Sequence, residues 1–105
     1  MIVTIFRSRL KPEHIDEYNS VANRIHALAE TMPGFVSITS YSAADGERVS
    51  IVEFADQASH VAWRNHAEHI QAQRLGRERF YSQYRVQVCE SINDYSFQMQ
   101  DGETR

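Results

Sequence analysis

The chain has 105 residues, enough for one domain and too few for a second with its own core. Its hydrophobic fraction of 42% and charged fraction of 24% are those of a globular protein that needs no disulfides or metal as staples. A formal net charge of −3 argues against a nucleic-acid binder, since phosphate binding needs a concentrated basic surface, and Glu78 interrupts the one cluster of Arg74, Arg77 and Arg79.

The chain opens on Ile2 to Phe6, a β-branched and aromatic run that predicts a buried strand. That run is too short for a leader and precedes Arg7 and Arg9, the reverse of the usual order of charge before apolar stretch. No stretch reaches the roughly 20 apolar residues of a membrane span, so the expectation is a cytoplasmic protein with no membrane partner. Lys11-Pro12-Glu13 suits a helix start, because proline fits the first turn and an acid complements the helix N-terminus. Ile15, Tyr18, Ala22, Ile25, Ala29 and Met32 then recur every three or four residues, one apolar stripe along about five turns. Pro33-Gly34 ends it.

Phe35 to Tyr41 reads as a second strand, with Val36 and Ile38 on one face and Ser37 and Thr39 on the other. Ala43 to Glu47, carrying Asp45-Gly46, is a hairpin turn, and Val49 to Phe54 is the third strand. Asp56 is a natural N-cap for a helix from Gln57 to about His66. A second helical stretch runs from Ala67 to Leu75, with Gly76 as its terminator. Arg79 to Glu90 is the last strand, where Tyr84, Val86 and Val88 alternate with Arg85, Gln87 and Cys89. Cys89, the only cysteine, falls in this pattern as a small buried hydrophobe and suits a reducing compartment.

The order β-α-β-β-α-β defines an α+β, ferredoxin-like fold, an antiparallel sheet with helices on one face. The domain is expected to span 1–97, with 98–105 a frayed polar tail. A last strand of about 12 residues, roughly 40 Å, would overhang the others and need cover. A two-fold dimer with facing sheets and crossing tails supplies it.

Chemistry concentrates between His60 and Tyr84. His66 and His69 stand at i, i+3 and could share one helix face, but no third ligand completes a metal site. Surface or capping duty is the simpler reading of both. Trp63, the only tryptophan, is either a core anchor or a pocket wall with its indole N–H toward a ligand. There is no Gly-rich phosphate loop, nucleophile elbow or Cys-x-x-Cys, so no nicotinamide or flavin site of its own is expected.

The string Ala62-Trp63-Arg64-Asn65-His66-Ala67-Glu68-His69, then Ala72-Gln73 and Gly76-Arg77-Glu78-Arg79-Phe80-Tyr81, resembles the second half of antibiotic-biosynthesis monooxygenase domains. The opening strand, the Lys-Pro-Glu helix start and Pro33-Gly34-Phe35 match that family too, so the resemblance covers about residues 1 to 92. It implies a dimeric α+β barrel with a cavity between sheet and helices in each subunit. Some members oxidise phenols or quinols with molecular oxygen and neither metal nor flavin; other branches degrade heme or act on small phosphorylated signalling molecules. The heme branch places an asparagine before Arg-Leu in the first strand, a helix tryptophan, and an iron-ligating histidine ten residues later. Here Ser8 precedes Arg9-Leu10, Trp63 is retained, and the ten-residue offset lands on Gln73, which leaves heme a minor alternative.

The resemblance therefore implies a cofactor-independent monooxygenase acting on a small aromatic or hydrophobic substrate. Trp63 would be wall and donor, His66 or His69 the base, and Arg85 with Tyr81 the stabilisers of an oxyanion. Ser8, Gln73 and Tyr81 would contact substrate. The alternative is a non-catalytic small-molecule-binding module on the same fold.

Overall fold

In the computed structural model, which describes residues 1–99, β1 (Ile2–Leu10) runs through the middle of the sheet. The chain then makes a single 3-10 turn at Pro12–His14 and enters α1 (Ile15–Thr31). Gly34 reverses it at φ +79°, a left-handed conformation that a side chain resists, and β2 (Phe35–Ser42) follows. A tight turn leads to β3 (Arg48–Phe54), then α2 (Gln57–Arg64) and α3 (Ala67–Leu75). One π-helical turn at Gly76–Phe80 feeds β4 (Tyr81–Glu90). The strands lie in the order β2-β3-β1-β4, every neighbouring pair antiparallel. This is the ferredoxin-like α+β arrangement that the order of elements predicts.

Register assigns each residue a face. Ile2 stands opposite Phe54 and Glu90, Thr4 opposite Val52 and Val88, and Phe6 opposite Ser50 and Val86. Residues directly opposite share a face, so these line the helix side. Val3, Ile5, Arg7 and Arg9, with Val49, Ile51, Gln83, Arg85, Gln87 and Cys89, line the other face. No described helix covers that open side. The core sits between sheet and helices, where Ala29, Val52, Phe54 and Trp63 are buried against Ile25, Leu28, Met32, Phe35 and Ile38.

Several local expectations are corrected. Val36 does not share the core face with Ile38: a bulge between Phe35 and Ser37 turns Val36 outward and gives the inward position to Phe35. The helix after β3 ends at Arg64 rather than His66, because His66 adopts extended backbone and becomes the N-cap of α3. Gly76 does not terminate a helix. Its φ of −57° is right-handed, and what its missing side chain permits is close approach: a Cβ there would stand 2.5 Å from Cε2 of Tyr81. The chain coils on to Phe80, so β4 begins at Tyr81 and has 10 residues. Cys89 is exposed, because β4 is an edge strand and its odd positions face the uncovered side.

Beyond Glu90 the chain to Met99 forms no helix or strand, and Ile92 (98%), Tyr95 (87%) and Phe97 (88%) are left exposed. Most of the polar tail expected at 98–105 lies outside the described residues.

Candidate functional site

The helix side of the sheet carries two aromatic groups. At one end Asp56 caps α2, its carboxylate accepting from the Ser59 backbone N–H at 2.8 Å, and so directs Trp63 onto the sheet. There Trp63 is buried, stacked on Phe54 at 6.0 Å and 26°. Its other side carries His69, centroid to centroid 4.1 Å and nearly parallel at 17°. Trp63 is thus a core anchor whose outer neighbour is an imidazole. Burial pushes His69 below the ordinary histidine range, with the Trp63 carbonyl pulling the other way, so the ring is neutral at pH 7 and its Nδ1 has no partner. His60, on α2, is buried with 4% exposure and leaves both ring nitrogens without a partner; burial lowers its pKa as well.

The other group gathers on β1, α1 and β4. Phe6 meets Tyr81 edge-on at 5.3 Å and Tyr84 at 5.7 Å, and Tyr18 meets Tyr81 at 5.9 Å. Arg48 lies over the Tyr18 ring, 5.4 Å from its centroid. Burial pushes the Tyr81 hydroxyl well above the ordinary phenol range, Tyr18 adds to the effect, and Arg48 opposes it. Tyr81 is therefore a neutral donor. From this group an apolar surface runs along β4: Tyr84, Val86 and Val88 face the helix side yet remain 43–49% exposed, because the helices pack chiefly over β2 and β3, at the far side of the sheet from β4.

The residues singled out in the sequence separate accordingly. Trp63, His69, Ser8 and Tyr81 lie on the helix side, Ser8 buried at 4%. His66 is occupied, its Nδ1 accepting the Glu68 backbone N–H at 3.2 Å, the capping role that its residue type favours. Gln73 is exposed on α3. Arg85 does not join Tyr81: it stands opposite Arg7 on the open face. Arg7, Glu47, Gln83 and Arg85 of that face, together with Ser8 and Tyr84, which alternate with them along the strands, line an open groove of about 270 Å³ away from the Trp63–His69 stack. No group of three or more His, Cys, Asp or Glu side chains that could hold a metal occurs among the described residues. No described helix is long and apolar enough to cross a membrane.

Phe6, Tyr18 and Arg48 are the helix-side residues that sequence reasoning missed. The stripe of α1 contained Tyr18, and strand parity placed Phe6, but only the β1–β3 register brings Arg48 to the same face.

A ferredoxin-like domain with an aromatic-lined layer between sheet and helices defines the class. Residues 1–75 match the antibiotic biosynthesis monooxygenase family, and the chain belongs to it. The uncharacterized protein YqjZ of Bacillus subtilis is 32% identical over 91 residues, which cover 87% of this chain and 80% of that protein. The jasmonate monooxygenase of Pyricularia oryzae is 29% identical over 90 residues, 84% of this chain but 42% of that longer protein. Among solved structures, SnoaB, a cofactor-independent oxygenase from Streptomyces nogalater, superposes with a TM-score of 0.75 at 17% identity, covering 89% of this chain and 94% of its own.

Proposed function

We propose that the protein is a small monooxygenase that oxidises an aromatic phenol or quinol with molecular oxygen and no cofactor. The observation that carries this reading is the apolar floor of Phe6, Tyr84, Val86 and Val88, partly open and on the same sheet face as the neutral His69. Such a surface suits a flat hydrophobic ring. Kinship with proteins named as monooxygenases supports the chemistry.

In this reading the substrate supplies the electrons. A base removes its proton, the electron-rich anion adds dioxygen at a ring carbon, and loss of water from the hydroperoxide leaves a carbonyl. For a ring carbon that starts as a methylene, both hydrogens leave with one oxygen atom as water and the other oxygen stays as the carbonyl, which balances. His69 is the base we assign, since His66 is held in a helix cap. Trp63 holds the imidazole by stacking, and Tyr81 and Ser8 face the substrate. The test is oxygen uptake with a panel of hydroquinones and polycyclic phenols. Wild type should consume oxygen, and His69→Gln should lose roughly a hundredfold in kcat. Absence of uptake alongside tight ligand binding would replace this reading with that of a binding module.

We also propose a two-fold dimer through the open face. Val3, Ile5, Val49 and Ile51 lie together there without helix cover, and Ile92, Tyr95 and Phe97 extend beyond the sheet unburied. The exposed thiol of Cys89 suits a reducing cytoplasm.

A further inference from the structure

One rung of the helix side is built from donors. Ser42 on β2 stands opposite Arg48 on β3, Arg48 opposite Ser8 on β1, and Ser8 opposite Tyr84 on β4. All four side chains share a face, and every one carries an O–H or N–H. Arg48 is the charged member. Arg7, Arg9 and Arg79 each hold a carboxylate, on Glu47, Asp45 and Glu17. The other arginines without such a partner, Arg24, Arg64, Arg74, Arg77 and Arg85, are exposed to solvent. Among the described arginines Arg48 alone is both half-buried and without a carboxylate. A guanidinium drawn out of water normally acquires an anion, because desolvation is costly until a counter-charge restores it. Tyr18 offers only the face of its ring.

On β3 and β2 the next rung is still polar, Ser50 and Ser40 hydrogen-bonding to each other at 2.8 Å, but toward β4 the strip turns apolar. About 7 Å along the strands lie Phe6 and Val86, and the rung after that pairs Thr4 with Val88. A cation with hydroxyls at one end of a partly open hydrophobic strip is complementary to an aromatic ring carrying one anionic oxygen.

We propose that Arg48, with the hydroxyls of Ser8 and Tyr84, binds the anionic oxygen of the substrate, an ionised aromatic hydroxyl or carboxylate, while its ring lies along Phe6, Val86 and Val88. This rests on the oxygenase reading for the nature of the ligand and adds the residue that selects its charge. It gives Arg48 the place that the sequence suggested for Arg85.

The experiment is calorimetric titration at pH 7.5 with 2-naphthoate and its neutral counterpart 2-naphthamide. Wild type should bind the carboxylate at least tenfold more tightly. Arg48→Met should erase that preference while binding the amide within twofold of wild type, which also reports that the variant is folded. Arg48→Lys, which keeps the charge should the methionine variant fail to fold, should retain part of the preference, and Ser8→Ala should reduce it. Arg85→Gln should leave it at tenfold. Equal or absent binding of both probes by wild type, a preference that survives Arg48→Met, or one that vanishes in Arg85→Gln each overturns the assignment. Oxygen uptake is scored separately. Preference without uptake removes the oxygenase reading and keeps the anion site; uptake without preference does the reverse.

Discussion

The two faces of the sheet use the same residue type in opposite ways. On the open face Arg7 forks onto both carboxylate oxygens of Glu47 at 3.0 and 3.1 Å, and Arg9 reaches Asp45 at 2.8 Å. Hydrogen bonding from Arg9 holds the Asp45 carboxyl below its ordinary range. These pairs close the β2–β3 turn against β1 and neutralise the two arginines within the chain, while Arg85 on the same face keeps its charge in solvent. On the helix side Arg48 has a tyrosine ring beneath it, Ser8 and Ser42 opposite it in the register, and no carboxylate. Charge balanced within the chain is structural; charge left unbalanced where water is partly excluded is available to a ligand. The apolar residues divide likewise. On the helix side Val52 and Phe54 join the core and only β4 leaves its apolar residues partly open, whereas Val3, Ile5, Val49 and Ile51 form a surface that one copy of the chain leaves uncovered.

Trp63→Ala tests the helix side most severely. It removes the ring between Phe54 and His69, and thermal or denaturant unfolding should show a loss of about 3–5 kcal/mol. The open side is tested by Ile51→Lys, which places a charge amid its apolar residues. Sedimentation should show the mass of the main species halved and the dimer Kd raised at least tenfold; an unchanged mass would make that face a plain solvent surface. Gly76→Ala should cost about 1–3 kcal/mol, because the new methyl collides with the Tyr81 ring, and should weaken binding of 2-naphthamide as the aromatic group shifts.

His60→Phe should act in the other direction, raising the melting temperature by removing two unpartnered ring nitrogens from the interior. It should also flatten the acid limb of the stability curve. His60 and His69 have folded pKa values below the unfolded value of about 6.5, so the unfolded chain takes up protons first as pH falls. Stability is then unaffected above about pH 7 and declines on acidification until the folded rings titrate. Trp63 fluorescence during unfolding at pH 7.5 and pH 5.5 reads this difference; equal slopes in wild type and variant would separate His60 from the effect. The smallest change belongs to Arg7→Met, which breaks an exposed ion pair and should cost under about 1 kcal/mol, lessening in high salt.

Much of this was readable from residue order. Alternation and β-branching located the strands, the three-and-four spacing from Ile15 to Met32 located α1, and Asp56 announced α2 as its N-cap. Local physics sufficed there, because the period of a helix or strand and the hydrogen bonds of a cap involve residues near one another in the chain. The departures also have local signatures, though ambiguous ones. Gly76 could end a helix or admit a ring, and only the return of Tyr81 across it shows which. Position 36 could continue an alternation or bulge from it.

Sequence by itself determined the fold class, the stretch from Trp63 to Tyr81 that carries the family resemblance, and the set of residue types available for chemistry. The tertiary structure decided which of them meet. Parity along β4 puts Tyr84 and Arg85 on opposite faces but does not say which face the helices cover. That depends on the pairing of β4 with β1 and of β1 with β3, strands far apart in the chain, and the same pairings line up Arg48, Ser8 and Tyr84 on one rung. A site made of residues so far apart in the chain is a property of register, and register is fixed only when the apolar face of the whole sheet finds its cover.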